Sequence, residues 1–231
     1  MKERLRTTLV LLVLVAATGM AAYKQQVQRT KLVYADSVDM IALTVDDVDI
    51  SLREMAVYVA YQEQKVQQDA LIYDSDKPEK YWNAYTNQHF VRKVAEDAII
   101  DMAVHDEIFY QMAVEEGIAL DEAEEVYLMN EIGDFFMDLS DEQFLRLGVQ
   151  EADVETAMRK IALANKYQSV LSQVAGVEYT SYDYTGESYE ALLEEHVVEE
   201  NKEVWNRISV GSITVNYKKK TVEQTKNTEQ K

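Results

Sequence analysis

Residues 88–117, QHFVRKVAEDAIIDMAVHDEIFYQMAVEEG, form the stretch to which the rest of the chain has to adapt. Val91, Ala95, Ala98, Met102, His105, Phe109 and Met112 recur at steps of three and four, which places them in one stripe along a helix of about eight turns. A second row, Val94, Ile99, Ala103, Tyr110 and Ala113, widens that stripe, so the helix is expected to meet neighbours on more than one side. Lys93, Glu96, Asp97, Asp101, Asp106 and Glu115 leave the remaining surface charged, and Gly117 suits a left-handed C-cap. Everything downstream reads as shorter helices able to pack around this one.

The composition agrees. One proline and seven glycines in 231 residues, with 47% hydrophobic content, suit an all-α domain better than a many-turned β domain. The absence of cysteine excludes disulfides, thiolate catalysis, cysteine metal sites and a lipidated N-terminal cysteine. Lys+Arg number 23 against 42 Asp+Glu, a formal net charge of -19, and most of the cations in the first 31 residues are unmatched by acids. The remaining body is therefore more acidic still, and such a field repels nucleic-acid phosphates and anionic headgroups alike. Nine methionines and fifteen tyrosines supply adaptable apolar contacts and apolar bodies with polar tips.

In chain order, residues 1–23 have the layout of a signal anchor or export signal: a basic start followed by TTLVLLVLVAATGMAAY without a charge. As a helix that run would measure ~26 Å, just short of the ~30 Å hydrocarbon core. Ala17-Thr18-Gly19 and Gly19-Met20-Ala21 are small-x-small cleavage sites, so the body is expected outside the cytoplasm, single-pass anchored or secreted. Residues 24–40 read as a polar stalk. IALTVDDVDIS predicts a short hairpin with Asp46-Asp47 as its turn, and Ser51-Leu52-Arg53-Glu54 is a capping box opening a helix to about Asp69. YDSDKPEK is a loop with Pro78 near the next helix start. Asp121-Glu122-Ala123-Glu124 starts another helix with an acidic first turn and an apolar stripe of Val126, Met129, Ile132, Phe136 and Met137. Ser140 to Gln143 is a further capping box, Gly148 a break, and 149–154 the start of a last long helix. Residues 188–201 read as helix, and 204–215 alternate as strand material able to pair near Ala42 to Val45. The tail from residue 217 is polar and reads as disordered.

Few residues invite chemistry. His89, His105 and His196 form no metal-spaced pair, and Asp74, Asp76 and Glu79 lack the glycine and distal glutamate of a calcium loop. No nucleophile elbow or glycine-rich phosphate loop occurs, so no catalytic residue, metal or cofactor is expected. His105 is expected to be a hydrogen-bonded core histidine, with a groove-lining or pH-sensing role as the alternative. The methionines and aromatics are either ordinary core or a cradle for extended polypeptide. The candidate peptide-binding residues are Met55, Tyr58, Tyr61, His105, Phe109, Met112, Met129 and Phe136.

The succession IALTVDDVDISLREMAVYV, FVRKVAEDAIIDMAVHDEIFYQMAVEEGIAL and DLSDEQFLRLGVQEADVETAMRKIALANKYQSVL resembles extracytoplasmic foldases of the SurA/PrsA type, over roughly residues 41–175. YEALLEEHVVEENKEVWNRISV is similar to the closing piece of such proteins. The resemblance implies a mainly α, SurA N-terminal-like chaperone domain (41–175) completed by 176–216, binding unfolded or newly exported polypeptides. In that family a parvulin-type prolyl isomerase domain often follows. Here only a short connection lies between Gln173 and Ser188, so isomerase activity is not carried over. The lipobox cysteine of PrsA-like lipoproteins is missing too, and the N-terminal hydrophobic stretch would have to tether the chain instead. The alternative is an adaptor docking one fixed partner at the membrane.

Overall fold

A computed structural model describes residues 31–215. The described part is mainly helical, with eight α-helices and few strands. The expected signal anchor (1–23) and the tail (217–231) lie outside the described residues. Among those described, no helix is long and apolar enough to cross a membrane.

The elements begin and end where local chemistry directs. Strands β1 (Ile41–Val45) and β2 (Val48–Ser51) form an antiparallel hairpin around Asp46-Asp47, with Asp46 at φ 53. Helix α1 (Leu52–Tyr73) opens on the Ser51/Glu54 capping box. After the short α2 (Glu79–Trp82) comes a feature the periodicity misses: β3 (Tyr85–Thr86) and β4 (His89–Phe90) form a tight hairpin turning through Asn87 and Gln88, both at positive φ. The long helix α3 therefore starts at Val91 rather than Gln88 and runs to Glu115. Its end is a Schellman motif: Gly117 sits at φ 69, the Ile118 N–H donates to Ala113 O (2.8 Å), and the Gly117 N–H donates to Val114 O (3.1 Å). Capping boxes start α4 (Glu122–Asp138) at Asp121 and α5 (Asp141–Leu147) at Ser140. Gly148 turns left-handed against Ala35, where a Cβ would come within 2.4 Å of the Ala35 Cα, and α6 (Glu151–Ala175) follows.

Helices α1, α3 and α6 pack together as the frame of the body. The middle of α3 is enclosed on all sides: residues 103–109 are buried, Asp106 and Glu107 included. Both acids are taken up by neighbours rather than solvent. Asp106, expected on the charged surface, is hydrogen-bonded to His105 Nδ1 at 2.8 Å, and Glu107 pairs with Lys160 of α6. Lys160 also lies 3.2 Å from Glu54 of α1, so one ammonium ties the three long helices. Burial pulls that ammonium's pKa down, but Glu107 and Glu54 more than offset it and hold it above the ordinary lysine value.

The C-terminal part departs most from the sequence expectation. The helix expected over 188–201 ends early, as α7 (Glu187–Leu193), and residues 198–200 become strand β5, pairing with β1 in the order β2-β1-β5. Residues 204–215 are not strand: they hold the end of α8 (Lys202–Trp205) and a series of turns. Their alternation is real but serves burial, since Val204, Trp205, Ile208, Val210, Ile213 and Val215 all enter the core. From Leu32 onward the expected stalk also belongs to the body. Tyr34 and Val38 are buried, and the Tyr34 hydroxyl donates to Leu52 O at 2.5 Å.

One side chain anchors that C-terminal loop. Glu63 of α1 is wholly buried, and its carboxylate is ringed by donors from residues 211–215. Oε1 accepts from the amides of Gly211 (2.5 Å), Ser212 (3.1 Å) and Ile213 (3.1 Å). Oε2 accepts from the Thr214 amide (2.6 Å), the Thr214 hydroxyl (2.6 Å) and the Val215 amide (3.3 Å). Successive amides turned inward make an anion nest, here filled by the protein's own carboxylate. Gly211 permits it: its φ is 81, and a Cβ there would meet the Trp82 ring at 2.4 Å.

Two outcomes follow from these contacts. Glu63→Gln keeps the size but turns an NH2 group toward backbone donors, so it is expected to cost about 3–5 kcal/mol and lower the melting midpoint by about 10 °C. Calorimetry checks it, and an unchanged midpoint would deny the cage its role. Asp46 accepts from His196 Nδ1 and from the Val197 amide, each at 2.8 Å, and these bonds hold its carboxyl below the usual range. The contribution is thus present above the unfolded pKa and lost as pH falls through the lowered one. Asp46→Asn, which tolerates the left-handed backbone, should lower the midpoint at pH 7, with the gap to wild type closing as the pH drops through that range.

Candidate functional site

Helix α4 sits less deeply than the others. It buries only Leu128 and Ile132, with Phe135 and Phe136 half covered. Val126, Met129 and Met137, expected in its buried stripe, are 59%, 56% and 77% exposed. The helix is turned so that its Tyr127–Leu128–Glu131–Phe135 side looks across a gap toward α6, α1 and α3. The rotation follows from α5: Phe136 packs edge-on to Phe144 with ring centres 5.6 Å apart, which fixes the helix about its axis.

The gap holds three adjoining chambers that share lining residues and together form a trough. Its central chamber, about 570 Å³, is lined by Tyr58 and Tyr61 of α1, Met102, His105 and Asp106 of α3, Glu131, Asp134, Phe135 and Asp138 of α4, Met158 and Ile161 of α6, and Tyr179, Asp183 and Tyr184. A second chamber of about 520 Å³ continues it past Leu120, Tyr127 and Leu128, sharing Glu131, Met158, Ile161 and Asn165. A third, about 410 Å³, continues it the other way to Arg146 and Val215, sharing Gln64 and Asp138. Alongside lies α4, whose 17 residues span about 25 Å at ~1.5 Å per residue. That length takes about seven or eight residues of extended chain at ~3.3 Å each.

Polar groups on the wall of the central chamber are held in place. The Tyr182 carbonyl can only accept, so His105 Nε2, 2.9 Å away, donates to it, while Nδ1 meets Asp106. Asp106 also engages the Tyr58 hydroxyl, whose pKa is raised well above its ordinary value by burial and then by that carboxylate. Gln168 donates to Asp183 (2.9 Å) and to the Tyr179 carbonyl (3.1 Å). Burial, then Asp183 and Asp106, raise the Tyr179 phenol too. Among the described residues no group of His, Cys, Asp and Glu is arranged to hold a metal ion.

Of the eight candidate residues, the fold brings Tyr58, Tyr61 and His105 to this trough. Met55 and Phe109 are correctly apolar but lie wholly inside the core, Phe109 among His105, Tyr167, Tyr182 and Tyr189. Both are 0% exposed, Met55 on α1 and Phe109 on α3, and so are inaccessible to a ligand. Met112 is half-buried away from the trough, Phe136 belongs to the α4–α5 contact, and Met129 faces outward. Missed were Met102, Met158, Ile161 and the acidic wall. The one signal was that α4 carries apolar residues on more sides than a single stripe explains.

No protein-family model, no curated protein and no solved structure matches this chain.

The division between core and trough has a direct consequence for stability. Phe109→Ala should cost about 3–5 kcal/mol and Tyr61→Ala, 55% exposed, within about 0.5 kcal/mol of nothing, as read by urea denaturation.

Proposed function

We propose that the chain is a chaperone-like module that holds extended polypeptide in the trough beside α4. The carrying observation is the trough itself: adjoining open chambers alongside α4, which is about 25 Å long, with Phe135, Met158 and Ile161 apolar in the central chamber and His105, Tyr58 and Gln168 hydrogen-bonded in its wall. Methionine and aromatic linings repack around differing side chains, which suits a site for unlike sequences. The resemblance of residues 41–175 to SurA/PrsA-type foldases supports the same reading and adds a place, outside the cytoplasm. There residues 1–23 would tether the chain to the membrane or export it, and the clients would be newly translocated, unfolded chains. On this reading binding is the whole activity: no bond is made or broken, and prolyl isomerisation belongs to a domain that the resemblance does not extend to here.

A second reading has its own observation. The outer face of α4 exposes Val126, Met129 and Met137, an apolar strip suited to one fixed partner, as in an adaptor. Crosslinking that recovers a single saturable partner, with no affinity for unfolded chains, would favour it.

The test is suppression of aggregation of a chemically unfolded client, followed by light scattering, with the full chain in nanodiscs of zwitterionic lipid. Dose-dependent suppression is expected near stoichiometric amounts. Phe135→Ala with Met158→Ala should weaken it about tenfold while folding persists, since both side chains are only half-buried. Unaltered suppression by that variant would move the site elsewhere.

A further inference from the structure

The trough is electrostatically uneven along its length. At each end a cation is already paired within the chain, Lys166 with Glu124 (2.5 Å) and Arg146 with Glu142 (2.6 Å). Between them the central chamber has no lysine or arginine among its lining residues, while Glu131, Asp134 and Asp138 follow one another along the α4 wall. Among the described residues neither Asp134 nor Asp138 has an ion-pair partner. The floor beneath that wall stays apolar, with Met158 and Ile161 of α6.

Resting on the reading of the trough as a polypeptide site, we infer that its occupant is a cationic segment, with lysine or arginine alternating with apolar residues. The geometry favours alternation. Glu131 and Asp138 are about 10 Å apart along the helix at ~1.5 Å per residue, and every second side chain of an extended segment recurs at ~6.6 Å. Two cations can thus face the α4 wall while the intervening apolar side chains meet the floor. Tyr61 and Tyr179, both partly exposed on the chamber's rim, offer ring faces to the same cations. An acidic segment would approach the row of carboxylates at close range without a counter-charge, so the trough selects by repulsion as well as attraction.

The experiment uses the full chain in nanodiscs of zwitterionic lipid and peptides of about eight residues bearing a neutral fluorophore. All share the same phenylalanine and leucine positions, alternating with lysine, glutamine or glutamate. Fluorescence anisotropy should rank lysine above glutamine above glutamate, with lysine about tenfold tighter than glutamine at low salt and the gap narrowing as salt is added. The combined variant Glu131→Gln, Asp134→Asn, Asp138→Asn should lose that preference and keep its affinity for the glutamine peptide. Equal binding of the lysine and glutamine peptides, or a preference that survives in the variant, overturns the charge inference and leaves the trough reading standing. Failure of all the peptides to bind overturns the trough reading and the inference with it.

Discussion

A single buried carboxylate closes this fold. Glu63 lies on α1, the helix that follows the first hairpin, yet its donors come from residues 211–215, at the other end of the described chain. A charge taken out of water is tolerable only if its oxygens are fully hydrogen-bonded, and here both are. The requirement runs in both directions: the amides of the loop would themselves be stranded without an acceptor. Around this contact Arg92 reaches from α3 to Val210 O and lies over the Trp82 ring, at 5.6 Å from its centre. The Trp205 indole donates to Ala42 O at 3.0 Å, and β5 adds to β1. The chain's early and late parts thus form one unit.

With the body held in this way, α3 can be enclosed, and enclosure changes what its polar residues do. Asp106 and Glu107 are accommodated in the middle of a buried helix because His105, Tyr58 and Lys160 meet them there. Those contacts fix the wall of the trough on one side and clasp three helices on the other. Helix α4 is outside that arrangement. Packed mainly on α6, it leaves a gap that the remaining helices floor but do not fill. The same gap collects the carboxylates of α4 and the tyrosines of α1 and the 179–184 segment, so the rigid part of the fold supplies the polar fixtures and the peripheral helix the acidic rim.

The local devices were legible in the sequence because they depend on residues close together in it. The Asp46-Asp47 turn, the capping boxes at Ser51 and Ser140, the acidic start at Asp121, the break at Gly148 and the end of the long helix at Gly117 all stand where the residues put them. Each depends on residues within about five positions of one another, which is the range of capping and turn chemistry. The mainly helical class follows from the same information. So does the apolar character of Met55 and Phe109, though not their inaccessibility.

What only the tertiary structure decided is everything that rests on contacts between distant residues. Whether Phe109 or Phe135 faces a ligand depends on how many helices cover each, and periodicity gives the direction of a stripe but not the number of its neighbours. Residues 204–215 alternate like a strand, but the partner edge beside β1 is taken by 198–200, and the alternation is used to bury side chains around the Glu63 cage. The trough is of the same kind. Its acidic wall is a set of unremarkable surface residues on α4 until α1, α3 and α6 stand opposite, and only that juxtaposition makes a channel of it.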